Sequence, residues 1–159
     1  LPSVTVKSNE VAIHEPDQEV ELSFHNLPLD QEAGGTESEM DSAYTASYLE
    51  NVVASHYAYI SSQDYESAYD LFSSNRKQKV NDGKWASGLA NNYDNEVDSL
   101  SVDSFDNNRA IVSFHLTSYD SENGHTLKHE WGGTWKMVKE GDEWKLDSPN
   151  IKKLSSEVE

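Results

Sequence analysis

The sequence predicts an α+β fold: N-terminal helices packed on a strongly bent, cone-shaped antiparallel sheet of about four to six strands, with a short β-rich segment ahead of both. Three observations predict it. Apolar and aromatic residues recur at spacings of three and four from Tyr44 to Ile60, the period of one helix face. From Asn95 onward the period drops to two, as in a half-buried strand. Three of the four Trp residues fall in residues 125–146, HTLKHEWGGTWKMVKEGDEWKL, and large aromatics favour a pleated surface with one covered face.

Taken in order, residues 1–36 read as a β-rich leader, or the tail of a preceding domain, followed by a linker. Val4 and Val6 alternate, Val11-Ala12-Ile13 is a short apolar run, and Val20, Leu22 and Phe24 alternate with Glu21 and Ser23. This is too little apolar material for a core of its own, and Gly34-Gly35 closes a polar stretch that reads as linker. Residues 37–159 form the main domain. Ser38 or Asp41 caps a first helix carrying Tyr44, Tyr48, Leu49, Val52, Val53, His56, Tyr57 and Ile60 on one stripe and ending near Ser61. Ser62 or Asp64 caps a second, with Tyr65, Ala68, Tyr69 and Phe72 on its inner face. Residues 73–81 form a short basic helix, and residues 82–92 another with Trp85 and Leu89 at i and i+4.

Strands follow at residues 97–105 and 109–119, joined by the Asp106-Asn107-Asn108 turn. In the second, Val112, Phe114 and Leu116 face one way and Ser113, His115 and Thr117 the other. Residues 121–124 turn again. The Trp-rich strand comes next, with Gly132-Gly133 marking a bulge or a close backbone approach. After a turn at residues 140–142, residues 144–148 complete the sheet. Pro149 is expected to end it, leaving residues 151–159 as a frayed tail.

Composition narrows function. The net charge is −17 and the pI about 4.5. Such a field repels phosphate backbones and anionic membrane surfaces, so nucleic acid is not expected as a partner. There is no Cys, hence no disulfide frame and no thiolate chemistry. No run of ~20 apolar residues is present, so no membrane insertion is expected within the chain. The first residue is Leu1, which fits a mature product or excised piece with any anchor outside it.

The helix corner YISSQDYESAY (59–69), the motif WGGTW (131–135) and the stretch EWKLD (143–147) resemble the nuclear transport factor 2-like superfamily, a cone-shaped α+β fold, over roughly residues 38–154. The first stretch looks like that family's corner between helices one and two, the others like its long last hairpin. Within the superfamily the chain resembles non-catalytic extracytoplasmic domains of Gram-positive lipoproteins or of TcaA-like membrane-anchored proteins. The resemblance implies a binding or protein-interaction domain of a secreted or cell-surface protein. Its partner would be a protein, a cell-wall component or a small apolar ligand, and the chain could pair with itself as a homodimer through the sheet. The superfamily also holds isomerases, dehydratases and cyclases, so the alternative is a small-molecule enzyme with a His/Tyr acid–base pocket inside the cone.

The residues that could line such a pocket are Tyr44, Tyr48, His56, Tyr57, Trp85, His115, His129 and Trp131. His56 is the best single acid–base candidate because it lies on the inward helix stripe; the plainer reading is a core histidine with its ring satisfied by neighbours. Aromatic residues at helical spacing are more often packing than chemistry. His125 and His129 sit too far apart along one strand to share a metal unaided, and no third ligand is evident, so neither metal nor cofactor is expected. Asp120-Ser121-Glu122-Asn123-Gly124 lacks the closing acid of a calcium loop and reads as a hairpin turn.

Overall fold

A computed structural model describes residues 34–159, with side chains from residue 41 onward. The expected strands of residues 1–29 lie outside the described residues. Four helices, α1 (Gly34–Ser61), α2 (Tyr65–Asp70), α3 (Ser74–Lys79) and α4 (Asp82–Ser87), precede four strands. These are β1 (Asn92–Phe105), β2 (Arg109–Glu122), β3 (His125–Glu140) and β4 (Glu143–Val158), in one antiparallel sheet of order β1-β2-β3-β4. The α+β class is as the periodicity predicts.

Local chemistry explains most boundaries. Asp64 caps α2 by accepting from the Ser67 backbone N–H, Ser73 caps α3 by accepting from Arg76 N, and Asn81 caps α4 by accepting from Lys84 N. The β2–β3 hairpin turns on Asn123-Gly124, both at positive φ (54° and 83°), the combination a two-residue hairpin favours.

Two boundaries differ from expectation. The helix α1 begins at Gly34, not at residue 38 or later. Gly34-Gly35 costs about 1 kcal/mol per Gly in a helix interior, but at the first turn of a helix 28 residues long that cost is small beside the packing of the stripe behind it. The last strand does not stop at Pro149 but runs to Val158. β4 is an edge of the sheet, where a residue without an N–H loses no ladder bond if it faces outward; Pro149 pairs with Trp135, and pairing with β3 continues to Leu127↔Val158.

The helices cover one face. Leu49, Val53 and Ile60 of α1 meet Val112, Phe114 and Leu116 of β2 and Trp135 and Met137 of β3 in a single core. Residues 71–73 dock the helical layer on β4: Leu146 N donates to Leu71 O, and Ser73 N donates to Leu146 O, both at 2.8 Å.

Five single-residue bulges bend the outer strands, at Tyr93, Asp98 and Asp103 in β1 and at Asp147 and Leu154 in β4, whereas β2 and β3 pair without interruption. Each bulged side chain reaches across to a neighbour. Tyr93 bonds Thr126, Asp98 accepts from Thr117, Asp103 accepts from Ser113, and Asp147 accepts from Ser73. Leu154 lies over Gly132, where an added Cβ would stand 3.2 Å from its Cδ1. The neighbouring Gly133 is the close approach anticipated in the WGGTW motif: a Cβ there would fall 2.1 Å from Asn150 O.

Candidate functional site

The structure divides the eight expected pocket residues among four places. His56, Tyr57 and Trp85 come together inside the cone. The His56 ring is 2 % exposed, with ring centroids of Tyr57, Phe72, Trp135 and Trp85 at 5.0, 5.1, 5.9 and 6.0 Å. Its Nδ1–H donates to the Ala68 carbonyl at 3.0 Å, which sets the tautomer, since a carbonyl only accepts. Burial lowers the His56 pKa to about 4, with Ala68 opposing and the Arg76 charge reinforcing the shift. The Tyr57 hydroxyl accepts from Trp135 Nε1–H at 3.1 Å, and burial raises its pKa further above the ordinary phenol value. Trp85 is half-buried, its ring 5.3 Å from that of Phe72.

Tyr44 and Tyr48 lie further up α1, edge to face at 6.5 Å. Tyr48 is partly buried, and burial raises its pKa while a hydrogen bond with the Trp144 backbone works against the shift. His129 and Trp131 sit at the far end of the covered face. The buried His129 ring bonds Ser156 through Nδ1 and lies 3.5 Å from Asp120 Oδ2 through Nε2. Trp131 Nε1–H donates to Ser118 Oγ at 2.9 Å. Asp120 in turn accepts from Asn92, which exchanges two hydrogen bonds with Asn95.

His115 corrects the expectation. It pairs with Gly132 between the buried Phe114 and Leu116, so alternation turns it to the outer face, away from the cone. There it lies between Asp98, 2.8 Å from Nδ1, and Glu130, 3.6 Å from Nε2. The register sets His129 against Ser118 and His115 against Gly132, so the two histidines face opposite sides of the sheet. Among the described residues no group of three or more His, Asp or Glu is arranged to hold a metal.

The cone is occupied by rings. Phe72, Phe114 and Trp135 are buried, with Trp85 packed against them. No described carboxylate hydrogen-bonds His56, whose one described hydrogen bond goes to Ala68. A groove of about 520 Å³ lies elsewhere, beside the β1–β2 turn, lined among others by Phe105, Arg109, Met137 and Asp147 and by none of the eight expected residues.

One buried cation escaped the sequence reading. Arg76 of α3 stacks its guanidinium over Phe72 and Trp135, Cζ to centroid 5.0 and 5.3 Å. Its Nε is the one buried side-chain N or O atom without a hydrogen-bond partner among the described residues. The available signal was rarity, since Arg76 and Arg109 are the only arginines in a chain with 29 acidic residues.

Helices on one face of a four-stranded antiparallel meander define an α+β domain of a known shape. A SEC-C motif containing protein from Rhodopseudomonas palustris matches with TM-score 0.51 at 13% identity over 64% of this chain and 76% of that one. A protein from Exiguobacterium sibiricum assigned as a calcium/calmodulin-dependent kinase II association domain matches with TM-score 0.52 at 15% identity, over 68% of this chain and 92% of the other. A protein from Xanthomonas campestris with the same assignment matches with TM-score 0.50 at 14% identity, over 78% and 89%. No protein-family model and no curated protein matches the chain. At these identities the likeness is one of fold.

Proposed function

We propose that this chain is a non-catalytic protein-interaction domain of the nuclear transport factor 2-like superfamily, belonging to a bacterial cell-surface or secreted protein, and that its outer sheet face meets a second copy of itself. The observation that carries the reading is the contrast between the two sides of the sheet. The covered side is filled with rings, whereas no described helix lies on the outer side, whose β1 strand is the acidic one. Glu96, Asp98 and Asp103 lie on β1; Lys128, Lys136 and Lys152 project from β3 and β4, with Glu130 and Glu157 among them. A two-fold axis through such a face sets the acidic strand of one copy against the lysines of the other. The edges are poor alternatives: β1 has three bulges and β4 has two, together with Pro149, Lys152 and Lys153, the features that discourage strand addition. Two structural neighbours assigned as association domains support the same reading.

Analytical ultracentrifugation across a micromolar range tests it. A concentration-dependent dimer is expected, weakened by Asp103→Lys or Lys136→Glu and recovered in part by the double swap. A monomer at all concentrations refutes self-association through this face.

A further inference from the structure

The groove beside the β1–β2 turn is lined by strand residues and that turn alone, with no helix residue among them. It lies apart from the ring-filled cone. Two rungs of the sheet meet in its lining: Arg109 pairs with Val138, and Ile111 with Lys136. Alternation with the buried Ala110 and Met137 turns all four side chains to the outer face. The two cations stand on one diagonal of a square, the two aliphatic residues on the other. In a chain with 29 acids against 12 bases, neither cation has a described acid within ion-pair distance. The acids nearby are engaged elsewhere. Asp106 Oδ1 accepts from the backbone N–H groups of Asn108 and Arg109 at 2.8 and 2.9 Å, and the Arg109 charge is the smallest of the influences on it. Asp147 Oδ1 accepts from Ser73 Oγ at 2.7 Å, and Asp103, beside the lining, accepts from Ser113.

We propose that this groove binds an extended acidic peptide whose carboxylates are two residues apart. Diagonal neighbours across an antiparallel pair stand about 7–8 Å apart. Side chains i and i+2 of an extended strand share one face at a spacing of about 6.8 Å. One Glu of such a peptide meets Arg109, whose planar fork takes both carboxylate oxygens, and the next meets the point charge of Lys136. The methylene stems of the two Glu lie on Ile111 and Val138, which favours Glu over the shorter Asp. The net charge of −17 opposes an acidic partner at long range, but at physiological salt charges beyond about 8 Å are largely screened, and the cations at contact decide. The groove shares the outer face with the proposed self-association, yet it stands on its own geometry. Sedimentation reads one, and peptide titration of the monomeric chain reads the other.

The test uses two isomeric peptides of equal charge, acetyl-STEVETS-amide with its acids two apart and acetyl-STEEVTS-amide with them adjacent. Each is titrated into the 15N-labelled chain at a concentration where sedimentation gives a monomer, and followed by 1H–15N NMR. The first peptide is expected to move the amides of residues 109–111 and 136–138 and one arginine Nε–H saturably, and to bind several-fold more tightly than its isomer. Arg109→Gln and Lys136→Gln, both at exposed positions, should each weaken binding about five-fold, with thermal unfolding as the check that the variants stay folded. No saturable shift, equal affinity for the two isomers, shifts centred away from the groove, or an unchanged Kd in the double variant would each overturn the assignment. Groove resonances that move on raising the protein concentration, and not on adding peptide, would make a second copy the occupant and overturn it too. The comparison of isomers on the wild-type chain decides even if a variant fails to fold.

Discussion

Burial of His56 ties the stability of the fold to pH in a direction that can be worked out from its surroundings. Its pKa falls from 6.5 to about 4 because the ring is taken out of water, the Ala68 hydrogen bond opposing and Arg76 adding to the effect. The folded value lies below the unfolded one. Above about pH 6.5 both states are neutral at this residue and it contributes no pH dependence. Between 6.5 and 4 the unfolded chain holds the extra proton, so stability falls as the pH falls; below about 4 both states are charged and the loss levels off. At about 1.36 kcal/mol per pH unit the full loss is about 3 kcal/mol, of which about 2 is reached by pH 5. Glu50, Asp94 and Glu96, whose pKa values burial raises, act with the opposite sign, because protonating them on the way down favours the folded form. The assay is therefore a difference: urea unfolding of the wild type and of His56→Phe, which cannot titrate, from about pH 7.5 to about pH 5. The carboxylates are common to both, so the wild type should lose about 2 kcal/mol more than the variant. Parallel curves would refute the argument, for they would mean that His56 accepts its proton as readily folded as unfolded.

Two further substitutions test the packing. In Gly133→Ala the new methyl would sit 2.1 Å from Asn150 O and 2.8 Å from Ile151 Cα; backbone cannot yield as a side chain does, so a loss of about 3 kcal/mol is expected, with faster amide exchange near residues 150–151, while Gly88→Ala, whose nearest contacts are at 3.5 Å, should stay within about 0.5 kcal/mol of the wild type. Ser73→Ala removes both the cap on Arg76 N, at 3.0 Å, and the bond to Asp147, and should lower stability by about 2 kcal/mol in chemical unfolding.

The periodicity of the chain carried the helix stripe from Tyr44 to Ile60 and the alternation of Val112, Phe114 and Leu116, because both patterns are local and both faces are separately buried. Asp64 was readable as a cap for the same reason. Pro149 misled, since a proline ends a central strand but not an edge strand, and edge or centre is decided by pairing partners far away in sequence. With β4 cut short, Ser156 had no place on the sheet and its bond to His129 could not be foreseen. His56 and Tyr57 were legible as inward-facing because the stripe points inward, whereas the stacking of Trp85 on His56 depends on packing between elements. His115 was counted toward the cone although its own alternation with Phe114 turns it outward. The burial of Arg76 was not legible, because a basic residue on a short polar helix declares nothing until its stacking partners, Phe72 and Trp135, are known from tertiary packing.

The order of elements has a consequence for how the chain is made. Synthesis delivers α1, residues 34–61, before any of the surface it lies on, which begins at residue 92. Throughout that interval Leu49, Val53, Tyr57 and Ile60 lack the sheet they rest against in the fold, and the nascent helix is an adhesive strip. Once the first hairpin emerges the strip is claimed, and every later strand needs only to zip onto the one made just before it.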